Sequence, residues 1–340
     1  MAGVLKLWNL VASKYQADDA TVRRAALWSV ITSVIIVVAG GAVRLTSSGL
    51  GCPTWPQCTG GSLTPTPAMG IHGVIEFSNR MLIYLLCASV GWLIITASLQ
   101  RRRRPELIRL AWAQFGLVVA EAVLGGLSVL TKLNPFMVAA HFLLAMVFIV
   151  VTVRAWERAR EGDGLPRSLV PGAVRSLGYA LTGVTALLLV VGTGVTGTGP
   201  HSGDTGVAAR MPFDWDRVAQ LHGDLVFLVC GLTMALLFVL KAVGGPRAAF
   251  RRTTELAVLL VLQAVVGYWQ YFTGLPAWLV GIHVAGACLV WIAALRIPFA
   301  LRERSAALPE ASQDEPSSSA AEPSGAELSG AEPRPLAARP

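Results

Sequence analysis

Five histidines, His72, His141, His201, His222 and His283, stand in a spacing that suggests chemistry. A shift of 142 residues lays His141 on His283, and a shift of 143 lays Asn79 on His222. Glu76 falls between His72 and Asn79, four residues after the first and three before the second. An imidazole nitrogen ligates metals and carries protons near neutral pH. A neighbouring carboxylate accepts protons or balances a developing positive charge. Cys52 and Cys58, in the run Gly51-Cys52-Pro53-Thr54-Trp55-Pro56-Gln57-Cys58, add a candidate disulfide or redox pair.

The elements that must position these groups follow from composition. Of 340 residues, 54% are hydrophobic and 14% charged, where soluble chains run at about 25% charged. Mean hydropathy is +0.59. Apolar runs of about 20 residues, long enough for ~30 Å of hydrocarbon, recur throughout. They lie at roughly 26–45, 71–98, 108–130, 135–155, 174–196, 217–240, 254–272 and 277–299. The runs are continuous and lack the alternation of barrel strands. The chain therefore reads as an all-α polytopic membrane protein with eight transmembrane helices. A soluble enzyme, a disulfide scaffold and a nucleic-acid binder are poor fits, despite a net charge of +8.

Cationic residues orient the helices. Of 28 Lys and Arg, all but Arg44, Arg80, Lys132, Arg210 and Arg217 fall before span 1, at or beyond the end of span 8, or in and beside the 2–3, 4–5 and 6–7 connections. Both termini are expected in the cytoplasm, and the charge needs no anionic partner. Residues 1–25 form a cytoplasmic segment ahead of an uncleaved signal-anchor. Residues 305–340, rich in Ala, Pro, Ser and Glu, read as a disordered cytoplasmic tail. The repeat extends beyond the histidines. Ala120-Glu121-Ala122-Val123 aligns with Leu262-Gln263-Ala264-Val265, Gly125 with Gly267, and Gly40-Gly41-Ala42-Val43 with Gly192-Thr193-Gly194-Val195. The halves, 26–156 and 157–304, thus read as two pseudo-symmetric four-helix bundles.

Depth then selects the chemistry. His141 and His283 each lie about six residues, or ~9 Å, inside spans 4 and 8. His222 and Asn79 fall in the same layer of spans 6 and 2, near the non-cytoplasmic surface. Ionisable groups in hydrocarbon are costly and tend to mark function. Two imidazoles at matched depth suit axial ligation of haem iron, and His222 with His283 is the favoured pair. Helix packing through small residues is the plain alternative. In the first half Asn79 takes the place of a ligand opposite His141, so the iron there has an open or labile axial position. His72 replaces the missing ligand only if the porphyrin sits higher. Glu76 either pairs with Arg80 or serves as a proton acceptor beside substrate, and Glu121 lies at comparable depth. Arg44, Arg80, Lys132, Arg210 and Arg217 suit the propionates of an outward-facing haem. His201, in a turn-rich loop ending at Asp204, reads as a loop or lid residue. Cys87, Cys230 and Cys288 read as core residues.

Taken together, residues 25–300 resemble the haem A synthase family. The resemblance rests on the 51–58 run, Ile75-Glu76-Phe77-Ser78-Asn79-Arg80, Ala139-Ala140-His141-Phe142, Gln220-Leu221-His222 and Gly281-Ile282-His283. It implies two bundles, haem b between His222 and His283, and substrate haem O in the first bundle. There His141 is a ligand and Glu76 the essential carboxylate. Asn79 departs from the family's histidine at that place. The reaction implied is oxidation of the C8 methyl of haem O to a formyl group, giving haem A for terminal oxidases in a bacterial cell membrane. Two successive oxidations are expected, through the alcohol and a geminal diol. Cofactor and substrate are then haem b and haem O. An unidentified electron donor, a farnesyl-transferring haem O synthase and oxidase assembly factors are the candidate partners, with no nucleic acid. The rivals are a non-catalytic cytochrome b-type electron carrier and a repeat-built transporter.

Overall fold

A computed structural model describes residues 14–204, 206 and 208–305. The expectations for residues 1–13, and for a disordered tail from 306 onward, lie outside the described residues. Eight helices long and apolar enough to cross a membrane are present among the described residues. They are α1 (Asp19–Leu45), α2 (Gly70–Ser98), α3 (Pro105–Leu130) and α4 (Pro135–Arg160), then α5 (Gly172–Thr198), α6 (Trp215–Ala242), α7 (Arg247–Phe272) and α8 (Ala277–Ala300).

Most helices outrun their apolar stretches, because polar end turns continue the backbone ladder past the lipid-compatible segment. Asp18 starts α1 by accepting from the Thr21 amide at 2.8 Å. Asn134 accepts from Phe136 and Met137 ahead of Pro135, and Asp214 accepts from Arg217. Each cap satisfies amides that the helix itself leaves free. Two three-residue strands, which hydropathy gives no reason to expect, pair antiparallel: β1 (Pro166–Ser168) with β2 (Arg302–Arg304).

Helix neighbours reproduce the sequence repeat. In the first half α1 packs on α2, α2 on α3, α3 on α4 and α4 back on α1; α5 to α8 close the same ring. The rings meet through α1 with α8, α4 with α5, and α4 with α8. At the seam, Trp291 Nε1 donates to the Met146 carbonyl at 3.0 Å. An indole N–H in hydrocarbon must find a protein acceptor.

One continuous apolar core fills the second ring and the seam, with Leu181, Leu236, Leu256 and Ile297 fully buried. The first ring is divided. Near the terminal face Ala25, Ala26, Ala97, Ala111 and Ala155 let the backbones approach. Leu86, Val90, Val118 and Phe148 form a second cluster higher up. At intermediate height the four helices bury Ser29, Thr32, Ser33, Ser89, Gln114 and Thr152.

The faces differ in chemistry. At the terminal face, guanidiniums and carboxylates interlock: Arg104 with Asp163 at 2.7 Å, Arg158 with Glu106 at 2.8 Å, Arg296 with Glu157 at 2.5 Å and Arg302 with Glu161 at 3.3 Å. Across the opposite face, loops are tied mainly through backbone. Gly49 donates to the Gly203 carbonyl, and Arg44 to the carbonyls of His201 and Thr196.

Candidate functional site

His222 of α6 and His283 of α8 face each other, with ring centroids 6.4 Å apart and ring planes at 61°. Two imidazoles that each place a nitrogen about 2 Å from one shared metal, with ring centres about 1 Å behind, stand about 6 Å apart. The observed separation fits that arrangement. Both rings rest on glycine. A Cβ at Gly192 of α5 would stand 3.0 Å from His222 Cε1, and one at Gly267 of α7 would stand 3.5 Å from His283 Cε1. Gln263 of α7 donates to the His283 carbonyl at 2.7 Å, fixing α8 against α7. Nδ1 of His283 is buried and makes no hydrogen bond within the protein. Among the described residues no group of three or more His, Cys, Asp and Glu gathers at metal-binding distance. The pair thus presents two imidazoles whose separation would admit a metal held between them.

The first half repeats the device with changes. His141 of α4 lies over Gly125 of α3, where a Cβ would come within 3.2 Å of Cε1. Glu121, which aligns with Gln263, holds Oε2 2.7 Å from His141 Nδ1, off the axis of a ring N–H. Asn79 occupies the position equivalent to His222, and its buried Oδ1 has no hydrogen-bond partner among the described residues.

Glu76, 4% exposed, lies beneath the first loop. Its Oε2 accepts from the Cys52 amide and its Oε1 from Arg80 at 2.6 Å. Arg80 also donates to the carbonyls of Cys52 and Thr54 at 3.1 Å, Gln57 at 3.2 Å and Pro56 at 3.4 Å. Cys52 and Cys58 form a disulfide with a Cα–Cα distance of 4.4 Å, and both residues are fully buried. The loop is seated on the bundle by Trp55, whose ring fills the space a Cβ on Gly126 would need. Glu76, Arg80 and the cysteine pair therefore form one unit, and no hydrogen bond joins Glu76 to His141 or Asn79 among the described residues.

The remaining residues singled out by sequence disperse. His72 Nδ1 sits 2.9 Å from Ser48 Oγ, with its ring exposed. His201 Nε2 lies 2.8 Å from the Leu275 carbonyl, bracing one loop on another. Arg44 donates to the carbonyls of His201 and of Thr196 in the last turn of α5, and Arg210 to those of Gly199 and Pro200. Lys132 and Arg217 are exposed and carry no side-chain ion pair among the described residues. Cys87 and Cys230 are half-buried free thiols and Cys288 is buried. The role of Gly125, Gly192 and Gly267 as seats for the rings was signalled only by the alignment of two of them with each other and of Gly192 with Gly40.

A sequence profile of the cytochrome oxidase assembly protein family COX15-CtaA matches residues 23–295. The chain is similar to the "Heme A synthase" of Listeria welshimeri, with 27% identity over 280 residues, 76% of this chain and 88% of that protein. It is similar to that of Rhodopseudomonas palustris, with 27% identity over 328 residues, 79% of this chain and 86% of the relative. A shorter match to the Alkalihalophilus pseudofirmus protein gives 31% identity over 153 residues, 43% of this chain and 51% of that one.

Proposed function

Because the chain belongs to the COX15-CtaA family of cytochrome oxidase assembly proteins, we propose that it oxidises the C8 methyl of haem O to a formyl group, making haem A. The observation that carries this reading is the His222–His283 pair, set 6.4 Å apart on glycine seats within a member of that family. Haem b held between those rings would supply one-electron transfer.

The chain's own groups have separable tasks. His141 binds the iron of the substrate, haem O. Glu121 places Oε2 2.7 Å from the His141 Nδ1 and limits how the ring can turn. Glu76 takes up a proton or offsets positive charge developing beside the substrate. The Cys52 amide and Arg80 hold that carboxylate in place. The loop they anchor, closed by Cys52–Cys58 and seated by Trp55, covers this part of α3. Arg80 holds that loop, leaving the exposed Lys132 and Arg217 as the cations available to propionates. Methyl-to-formyl conversion requires two successive hydroxylations with dioxygen as co-substrate. Each places one oxygen atom on the carbon and reduces the other to water with two electrons from a donor outside this chain. The resulting geminal diol loses water to give the formyl group. The protein lies in a bacterial cell membrane with both termini in the cytoplasm. Haem O synthase and oxidase assembly factors are its neighbours in this route.

The test is mass spectrometry of haem extracted after co-expression with a haem O source, together with the pyridine haemochrome of the purified protein. Haem A should form with the native chain and not with Glu76→Ala. His222→Ala should lose haem b. Normal haem A from Glu76→Ala would refute that residue's role, and an iron-free protein would refute the whole reading.

A further inference from the structure

Four consecutive helix pairs repeat one device, and one copy differs. In three, a histidine ring lies on a glycine of the preceding helix: His141 on Gly125, His222 on Gly192 and His283 on Gly267. The fourth copy joins α1 to α2. Its glycine is Gly40, which aligns with Gly192, and the residue aligned with His222 is Asn79. A Cβ at Gly40 would meet nothing within 4 Å. The carboxamide thus stops short of the seat that an imidazole fills elsewhere, and its buried Oδ1 bonds to nothing in the protein.

Building on the function proposed above, we infer that His141 is the only protein ligand to the iron of the substrate haem. Asn79 leaves the opposite coordination position open and lines it with a polar amide. Haem iron takes imidazole, thiolate, thioether or phenolate as axial partners, and an amide is not among them. His72 does not substitute. A Cβ at Gly51 would overlap its backbone carbonyl, which pins that turn beneath the loop, and its side chain is exposed. It also lies two turns, or ~10 Å, nearer the surface than Asn79. The two halves are thereby specialised. Iron closed by two imidazoles passes electrons, whereas iron with a free position binds small ligands, whose fate depends on nearby hydrogen-bonding groups. The amide of Asn79 supplies both a donor and an acceptor there.

Carbon monoxide and electron paramagnetic resonance read the coordination without reference to turnover. The full-length protein, purified after co-expression with a haem O source, should show a high-spin ferric signal. Once reduced, it should form a carbon monoxide adduct, and both features should vanish in His141→Ala. In Asn79→His the same haem should remain bound, turn low-spin and lose carbon monoxide binding. Asn79→Ala, which offers no ligand, should stay high-spin and still bind the gas. A low-spin, carbon monoxide-inert haem that depends on His141 would overturn the inference and leave the proposed function standing. Conversion of such a haem to high spin by His72→Ala would identify His72 as the ligand. Absence of any His141-dependent haem would remove the proposed function and the inference together.

Discussion

A single arginine shows how much one side chain can organise. Arg80 meets four backbone carbonyls and one carboxylate, which its planar fork of donors can do and a lysine ammonium cannot. Arg80→Lys should loosen the first loop and expose Cys52–Cys58. Alkylation after mild reductant treatment should label those thiols several-fold faster than in the native protein. Equal rates would show that the loop holds without the guanidinium. At the histidine seats, Gly192→Val should push His222 aside and, on the function proposed above, lower the haem-to-protein ratio in the pyridine haemochrome. This scale also shows where sequence stops being informative. The histidine pairs were legible because an echo at 142–143 residues survives in residue identity. The work of Arg44, Arg80 and Arg210 was not. Their partners are carbonyls, present at every residue, so nothing in the sequence distinguishes those that receive a guanidinium. Sequence suggests propionates for all three, and the structure shows backbone carbonyls as their partners among the described residues.

At the level of helices, the internal repeat acts as a control. Gln114 of α3 corresponds to Leu256 of α7, and both are fully buried. Leu256 packs in an apolar core, whereas both polar atoms of Gln114 lack hydrogen-bond partners in the protein. The hydroxyls around it are satisfied by their own helices or by one another, as Thr32 and Ser89 are at 2.8 Å. A buried amide without partners costs about 1–3 kcal/mol. Gln114→Leu should therefore stabilise the protein by about that amount, read as a higher melting temperature in detergent. A lower one would mean that the amide is hydrogen-bonded in solution. Helix number and approximate position were legible from hydropathy, which registers only the stretch that lipid accepts. The polar end turns follow from caps such as Asp18 and Asp214. The β1–β2 pairing joins segments more than a hundred residues apart and leaves no local trace.

For the molecule as a whole, Asp163 is a node. It forms ion pairs with Arg104 and Arg158, whose side chains are 9% and 7% exposed, and accepts a hydrogen bond from the second. Removing one partner of a buried ion pair costs about 3–5 kcal/mol. Asp163 is itself 27% exposed, which brings Asp163→Ala to about 2 kcal/mol, measurable as easier thermal unfolding. An unchanged melting temperature would show that the carbonyls of Arg158 and Glu161 suffice for Arg104, and Glu106 with the Gly162 carbonyl for Arg158.

The Trp291–Met146 bond fixes the height of one ring against the other. His141 and His283 each lie six residues into their helices, so their levels match. A full crossing of the bilayer exchanges about 2.3 kcal/mol per charge for every 100 mV. An electron passing between haems at the two levels would instead travel sideways, along a surface of nearly constant potential. That transfer would be electrically silent, neither driven nor opposed by the voltage across the membrane.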